Sequence, residues 1–337
     1  MVNKRLVLAV AGSGKTRHII ETLDLDKRFL IITYTNNNYN TLKKRVLTKF
    51  GYIPENIKIL KFFDFLYSFC VKPFLLFEHK IKGINLDVTP EYTNYLKTSD
   101  YNRYLTKSKQ LYHNRISKFL EITGVIPLVV QKLEKFYDWL IIDEFQDLGG
   151  HDFNLIMEVA KSKTNLLFVG DFHQNTFVTS HDGNVNKALY DNYQNYINKI
   201  SLHKIEVDTT LLIESHRCSP TICNFISDNL GIEMKSKRFD ETNIYIVENI
   251  EDIPEVISNN NIIKLVYRDS NKQAFFSKNW GECKGEDDYS DTCIILTKSA
   301  TKSLSKRNLS TLPVSTKNKL YVALSRTRGD CYLVKQK

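Results

Sequence analysis

The segment VLAVAGSGKT, near the start of the chain, constrains the fold more than any other. The apolar residues 6–10 predict a strand, Gly12 and Gly14 predict a turn, and Lys15 and Thr16 open a segment with helical spacing. Such a turn points backbone N–H groups at phosphate oxygens, and the helix N-terminus adds a partial positive charge. The lysine reaches the outer phosphates and the threonine hydroxyl helps to hold Mg²⁺. The segment therefore predicts a nucleotide-binding loop in an α/β sheet.

A secretory signal is the main alternative for this segment, because Lys4 and Arg5 precede a short apolar run. The run is too short for a signal core. Ala9 stands where the general phosphate-loop pattern has its first glycine, and a small residue is sufficient there. No apolar stretch approaches the roughly 20 residues that span a bilayer, so we expect no membrane partner.

The amino-acid composition limits the cellular compartment and the class of binding partner that we expect. The six cysteines form no C-x-x-C pair and have no histidine at zinc-ligand spacing, which argues against a zinc or iron–sulfur site. Scattered thiols of this kind are typical of a reducing cytosol, so we expect a cytoplasmic location. The net charge of +9 attracts polyanions, although charge alone leaves nucleic-acid binding open.

Two further apolar runs each end in polar residues. In YDWLIIDEFQDL, a strand is predicted to deliver Asp143 and Glu144, and in NLLFVGDFHQ another delivers Asp171 and Gln174. An acidic pair after a strand is as often a solvated turn, and a glutamine there is more often a surface residue. Beside a phosphate loop, however, Asp143 is expected to hold Mg²⁺, Glu144 to orient and deprotonate the attacking water, and Gln174 to sense the γ-phosphate.

Five segments in order resemble known motifs. AGSGKT, DEFQD, GDFHQ, ESHRCSP and YVALSRTRGD resemble motifs I, II, III, IV and VI of superfamily 1 helicases of the UvrD/Rep/PcrA type, and the resemblance covers most of the chain. It implies that Arg217 and Arg326 reach the γ-phosphate of ATP from a second RecA-like domain, where an arginine contributes on the order of 10³ or more in rate. The residues assigned to the nucleotide are Ala11, Gly12, Ser13, Gly14, Lys15, Thr16, Arg17 and Asp287.

The resemblance also implies a nucleic-acid track. ITYTNNNYNTLKKR is similar to motif Ia and WGECKGEDDYSDTCIIL to motif V. Tyr34 would stack on a base, although it could instead belong to the core, and base stacking tolerates any sequence. The other residues assigned to nucleic acid are Thr35, Asn36, Arg45, Phe177 and Lys284. Thr179 and Ser180 replace the family's tryptophan and arginine, so one base platform is expected to be missing.

The same resemblance sets the expected organisation. We predict an α/β fold of two RecA-like P-loop NTPase domains with parallel sheets: residues 1–70 and 130–210 form domain 1A, 71–129 a small helical 1B-like insertion, and 211–337 domain 2A. The stretch between Cys218 and Trp280 is too short for a 2B subdomain. The chain begins at the first strand, so an upstream adenine-reading glutamine motif is not expected and nucleotide selectivity stays open.

Three functions remain open from the sequence. The leading one is an ATP- and Mg²⁺-dependent helicase or translocase that moves 3′ to 5′ on single-stranded DNA or on DNA with a single-stranded tail. The second is a nucleotide-responsive DNA-binding ATPase subunit that works with a nuclease, for example in antiviral defence. The third, a small-molecule phosphotransferase, leaves Arg217 and Arg326 without a role. DNA or RNA as the track, the pathway and the oligomeric state stay undetermined.

Overall fold

The computed structural model describes residues 2–177, 179, 183–286 and 289–336, which form two compact units. The first unit comprises the described residues within Met1–Val7, Thr16–Gly170 and Phe177–Asp208, and the second comprises those within Leu8–Lys15, Asp171–Thr176 and Thr209–Lys337. The second unit therefore includes the loop that the sequence assigns to phosphate and the turn that carries Gln174.

Short strands and helices alternate along the chain. The strands are β1 (Lys4–Leu8), β2 (Phe29–Thr33), β3 (Ile57–Lys61), β4 (Gly83–Asn85), β5 (Gln110–Tyr112), β6 (Trp139–Ile142), β7 (Asn165–Gly170), β8 (Glu206–Asp208), β9 (Glu214–Ser215), β10 (Lys235–Ser236), β11 (Ile244–Val247), β12 (Ile263–Val266), β13 (Ser277–Asn279), β14 (Thr292–Ile295) and β15 (Cys331–Val334). The α-helices are α1 (Lys15–Thr22), α2 (Asn36–Phe50), α3 (Phe62–Asp64), α4 (Lys72–Leu75), α5 (Ile116–Ile122), α6 (Ile126–Phe136), α7 (Gly150–Val159), α8 (Tyr193–Ser201), α9 (Pro220–Leu230), α10 (Pro254–Ser258), α11 (Lys298–Ser305) and α12 (Val314–Leu324).

The first unit is built on a six-stranded sheet with the strand order β3-β2-β6-β7-β1-β8. The pairs β2–β3, β2–β6, β6–β7 and β1–β8 are parallel. Every residue of β2 is buried, and so are the last three of β6. Burial on both faces explains why FLIIT and WLII show no polar alternation, and it is what helices on both sides of a parallel sheet produce.

The first strand is displaced from its predicted position. The sequence predicts it at residues 6–10, whereas β1 spans Lys4–Leu8. The prediction was wrong at its carboxyl end because the Val10 N–H leaves the sheet and donates to the Leu212 carbonyl at 2.9 Å. That partner is distant in sequence, so the apolar run alone could not place the end of the strand.

Residues 71–129, predicted as a small helical insertion, are only partly helical. Strands β4 and β5 form a separate two-stranded parallel sheet, and 3₁₀-helical turns occupy Glu91–Tyr95 and Tyr101–Arg103. The buried Arg115 guanidinium donates to Thr93 Oγ1 at 2.7 Å and thereby braces this irregular backbone. The boundaries of the insertion and its relation to a 1B subdomain stay predictions.

The second unit contains a five-stranded sheet with the order β11-β15-β14-β12-β13, in which all four pairings are parallel. Helices α9, α11 and α12 contribute buried apolar residues to its core. Trp280 is fully buried there, and its indole N–H donates to the Leu265 carbonyl at 3.1 Å. With the six-stranded sheet, this gives two RecA-like domains with parallel sheets.

Helix α12 ends before Arg326. The helix stops at Leu324, and the Arg326 N–H then bonds the Ala323 carbonyl three residues back rather than four. Such a tightened last turn ends the α-helix. Arg326 therefore lies in the turn after α12, held by the fold and not by helical periodicity.

All six cysteines are free thiols with buried side chains. Among the described residues, the longest apolar helices fall well short of what a bilayer crossing requires.

Candidate nucleotide and nucleic-acid sites

The predicted phosphate loop has the backbone that its glycines suggest. Gly12 and Gly14 have φ values of +73° and +93°, in the left-handed region that favours glycine. The Ser13 hydroxyl donates to the Val10 carbonyl at 2.8 Å, and the Ser13 N–H approaches the same oxygen at 3.3 Å, which closes the turn. Lys15 and Thr16 begin α1 directly after it. This geometry fits a phosphate group at the N-terminus of α1.

Within the second unit, Gly12 lies against the segment that contains Arg217. A Cβ added at Gly12 would lie 2.6 Å from Ser215 Oγ and 2.7 Å from Arg217 Cβ. The Gly12 carbonyl also accepts the His216 N–H at 2.9 Å. Glycine at this position is thus required by its φ value and by the close approach of Ser215 and Arg217.

Arg217 is hydrogen-bonded to the residue that precedes Arg326. Arg217 Nη1 donates to the Ser325 carbonyl at 3.1 Å, so it lies beside the residue that precedes Arg326. Arg326 is almost fully buried, and its Nη1 donates to the Glu286 carbonyl at 2.9 Å. Two guanidinium groups therefore belong to the same unit as Lys15. Asp287, also predicted to bind nucleotide, lies outside the described residues.

The acidic pair in the first unit has an unusual backbone. Asp143 is buried directly after β6, and Glu144 adopts a left-handed conformation with φ +55° and ψ +43°. A non-glycine residue in this region is uncommon, and such residues cluster at functional sites. The Glu144 N–H donates to Asp143 Oδ1 at 3.0 Å. This turn fixes the direction of both carboxylates.

Gln146 supports Glu144 and was missed by the sequence reasoning. Its Nε2 donates to Glu144 Oε2 at 2.6 Å, and its side chain is fully buried. A Cβ added at Gly170, the last residue of β7, would lie 2.6 Å from Gln146 Oε1. The glycine thus leaves space for the glutamine that orients Glu144. The only sequence signal was its place in DEFQD.

Gln174 lies in the second unit, in the 3₁₀-helical turn Phe172–Gln174. Its side chain is buried, and Nε2 has no hydrogen-bond partner among the residues that the structure describes. A buried amide donor without a partner is costly, so it fits a ligand acceptor such as a phosphate oxygen. Burial, assisted by Lys317, lowers the pKa of the neighbouring His173 to about 3, so that imidazole is neutral at physiological pH.

Tyr34 and Phe177 belong to an aromatic cluster in the first unit. Their ring centroids lie 5.4 Å apart, and Phe63 lies 6.0 Å from Tyr34. Phe177 is 38% exposed, so part of it faces solvent, whereas partial burial raises the pKa of Tyr34. Phe63 was not anticipated, although FFDF shows a run of rings.

The other residues predicted to contact nucleic acid lie in different surroundings. Thr35 caps α2, where its hydroxyl accepts the Asn38 N–H at 3.1 Å, and Asn36 is the first, exposed helical residue. Lys284 is half-buried in the turn of residues 281–285. The hydroxyl oxygen of Thr35 therefore already accepts one hydrogen bond from the helix backbone.

Arg45 and Arg17 share a groove in the first unit. The groove lies between α1 and α2, has a volume of about 710 Å³, and is lined by Arg17, Ile20, Glu21, Thr41, Lys44, Arg45, Thr48 and Lys49. Arg17 Nε donates to Glu21 Oε1 at 2.7 Å, and Lys49 Nζ donates to the Ile20 carbonyl at 2.7 Å. Apart from Ile20 and the Glu21 carboxylate, the described lining consists of cations and hydroxyl groups, which suit phosphates better than bases.

A second polar cavity lies at the carboxyl ends of β12 and β14. It has a volume of about 520 Å³, and its polar lining includes Arg268, Thr297, Ser299, Thr316 and Gln336. The Thr297 side chain also caps α11 by accepting the Ala300 N–H at 3.1 Å. Sequence reasoning missed this cavity, although polar residues follow the apolar runs IIKLV and CIIL.

Comparisons with known proteins agree with these motifs and folds. Residues 2–180 match the family model described as an AAA domain, and residues 96–335 match the viral superfamily 1 RNA helicase core domain. No curated protein sequence matches the chain.

Two solved structures of arterivirus nonstructural protein 10, a helicase, are similar in fold. One is its crystal structure, with a TM-score of 0.52 and 11% identity over 98% of this chain and 59% of the arterivirus chain. The other is its complex with DNA, with a TM-score of 0.52 and 11% identity over 98% of this chain and 60% of that one. The chain thus spans about three fifths of the length of these helicases. Because one family model covers more than two thirds of the sequence, the chain belongs to the superfamily 1 helicases, a family of NTP-hydrolysing enzymes.

Proposed function

We propose that the chain is an ATP-driven motor of the UvrD-like kind that moves 3′ to 5′ on single-stranded DNA in the cytoplasm. The observation that carries this proposal is the position of Gly12 against Ser215 and Arg217, with Arg217 bonded to the residue before Arg326. A phosphate loop and two arginines in one compact unit suit charge stabilisation during γ-phosphate transfer.

The nucleotide site follows from the donor chemistry. Lys15 and the N–H groups of residues 14–16 would hold the phosphates, and the partnerless Nε2 of Gln174 would donate to a γ-phosphate oxygen. Thr16 and Asp143 offer hydroxyl and carboxylate oxygens, the ligands that Mg²⁺ prefers, and such an ion would supply positive charge to neutralise the phosphates. Glu144, oriented by Gln146, would accept the proton of the attacking water.

The track is proposed from the aromatic cluster and the two polar grooves. Tyr34, Phe63 and Phe177 would stack on bases without regard to sequence. Arg45 in the first unit and Arg268 in the second would contact phosphates. We favour DNA as the track because the arterivirus helicase of similar fold has been solved with DNA. RNA is the competing track, since the matching family model describes RNA helicases.

Nucleic-acid stimulation of ATP hydrolysis tests this function. We expect single-stranded DNA to increase the rate of ATP hydrolysis. We also expect the strands of a duplex with a 3′ single-stranded tail to be separated in preference to those of a duplex with a 5′ tail. Single-stranded RNA of the same sequence serves as the comparison for the track. Hydrolysis that no nucleic acid stimulates would contradict the motor and favour a phosphotransferase.

The groove between α1 and α2 gives a separate prediction. For Lys44→Ala/Arg45→Ala, we expect the slope of log affinity against log salt to become shallower by about 1.4 on single-stranded DNA, since each phosphate contact contributes roughly 0.7. Fluorescence anisotropy over a salt series measures this slope. The matched control is Lys118→Ala/Lys161→Ala, which removes the same charge from lysines that are ion-paired to Glu121 and Glu158. Equal slopes for the two double variants would rule out the groove as a contact.

A nuclease-associated subunit is the second candidate function, and the small size of the region after Cys218 favours it. Up to Trp280 the structure has the 11-residue α9, the short α10 and short strands, so little surface is added to the RecA-like core. Such a motor could require a partner, for example a nuclease in antiviral defence. Strand displacement that appears only when a nuclease subunit is added would favour this alternative over the independent motor.

A further inference from the structure

Tyr321 has an unusual place in the second unit. It is fully buried on α12, and its hydroxyl makes two hydrogen bonds. The oxygen accepts the Ala11 N–H at 2.9 Å, and the hydroxyl lies 3.0 Å from Asp171 Oδ2, to which it donates. These partners lie 310 and 150 residues away in sequence. One phenol thus joins the phosphate loop, the turn after β7 and the last helix.

The chemistry of these two bonds requires a protonated phenol. Burial, followed by the nearby Asp171 carboxylate, raises the pKa of Tyr321 well above its ordinary value. The hydroxyl therefore keeps its proton and can donate to the carboxylate while it accepts from the amide. Phenylalanine would fill the same space and make neither bond, which would leave a buried N–H and a buried carboxylate oxygen each short of one partner.

Each bond fixes a segment next to a predicted catalytic group. Ala11 directly precedes the glycine turn that leads to Lys15. Asp171 uses its other oxygen to accept the His173 N–H at 3.1 Å, and its carbonyl accepts the Gln174 N–H at 2.9 Å. The Tyr321 hydroxyl therefore sets both the start of the phosphate loop and the turn that carries Gln174.

We propose that Tyr321 is a positioning residue for nucleotide hydrolysis, which holds the phosphate loop and the Gln174 turn in register with the end of α12, where Arg326 follows. The inference rests on the proposed function, because it assigns Gln174 and Arg326 to the γ-phosphate. Tyr321 touches neither nucleotide nor nucleic acid in this role and acts through Ala11 and Asp171.

The kinetic test compares two tyrosine-to-phenylalanine variants. Tyr104→Phe is the matched control, because Tyr104 is fully buried and its hydroxyl donates to the Thr98 carbonyl at 2.9 Å in the first unit. For Tyr321→Phe, we expect the DNA-stimulated kcat to fall by about tenfold or more while the KM for ATP changes by less than about threefold, since a misplaced Gln174 affects the transition state more than ground-state binding. The control should stay within about twofold of the parent in both constants.

A double-variant cycle with Asp171→Asn tests whether the effect of Tyr321→Phe on kcat is transmitted through Asp171. If the effect runs through Asp171, the fold-loss of the double variant will be smaller than the product of the two single losses. Three results would each overturn the positioning role: a fold-loss of the double variant equal to the product of the two single losses, an unchanged kcat in Tyr321→Phe, or an equal loss of kcat in Tyr104→Phe.

Amide hydrogen exchange provides a readout that does not need turnover. In Tyr321→Phe we expect faster exchange in residues 9–16 than in the parent, and loss of the protection that the analogue AMPPNP gives to residues 171–175. Residues 98–104 should exchange as in the parent. If the parent hydrolyses no ATP, the proposed function fails. Hydrogen exchange still tests the positioning role of Tyr321, which is overturned if AMPPNP protects residues 171–175 in the variant as it does in the parent.

Discussion

Glu144→Gln is expected to lower the nucleic-acid-stimulated kcat by roughly 10³-fold, or about 4 kcal/mol of transition-state stabilisation. The carboxylate is the group that would accept a proton from the attacking water, and an amide cannot do so. Its direction is set by the left-handed backbone of Glu144 and by the bond from Gln146 Nε2 to Glu144 Oε2. In the variant, the amide oxygen can accept the same bond, so the shape of the turn is expected to persist. ATP binding should therefore be retained.

The measurement is steady-state hydrolysis together with equilibrium binding of a fluorescent ATP analogue. Glu158→Gln is the control, because Glu158 is a partly exposed residue of α7 that is paired with Lys161 at 2.7 Å. Glu158→Gln makes the same carboxylate-to-amide change at a position outside the proposed site. Turnover in Glu144→Gln equal to that of the parent would refute the role of general base. A parallel loss of binding would instead indicate that the turn had collapsed.

The elements that sequence predicted well are those fixed by local pattern. The strand predicted to deliver Asp143 is β6, Trp139–Ile142, which ends directly before that residue, and the helix Pro220–Leu230 also carries local signals. In the helix, Ser219 caps the first turn through Ile222 and Gly231 ends the last turn in a left-handed conformation. Signals of this kind depend only on neighbours in the chain.

The parts that sequence could not predict depend on partners far along the chain. The strand β1 ends early because Val10 bonds to Leu212, and the link from Ala11 to Tyr321 spans 310 residues. No periodicity encodes such contacts. The groove containing Arg45 was missed for a related reason, since the motif named Arg45 and could not tell that its side chain lines a groove shared with α1.

The Glu144 backbone is a further case in which local pattern failed. Residues other than glycine rarely adopt positive φ, and the sequence DEF carries no glycine or asparagine to indicate the turn. In this conformation the Glu144 carboxylate accepts the bond from Gln146, which occupies the space that Gly170 leaves. Functional sites are where such conflicts between local preference and tertiary structure are expected.

Arg326→Lys is the second change for which we expect a large effect, a fall in kcat on the order of 10³-fold with a smaller change in the KM for ATP. Lysine keeps the charge and lacks the planar fork that donates to a phosphate and to the Glu286 carbonyl together. Because Arg326 is almost fully buried, thermal unfolding must be measured alongside hydrolysis. Arg328→Lys, two residues later and exposed, is the matched control and should hydrolyse ATP like the parent.

The arrangement of the two arginines makes this prediction sharper. Arg217 Nη1 bonds the Ser325 carbonyl, so a change at either arginine should disturb the placement of the other. If both act on one γ-phosphate, Arg217→Lys/Arg326→Lys will lose less than the product of the two single losses, as groups that act as a unit do. Independent roles, for instance one arginine in catalysis and one in structure, would give losses that multiply. Parent-like kcat in folded Arg326→Lys would remove the charge-stabilising role and with it the main support for the motor.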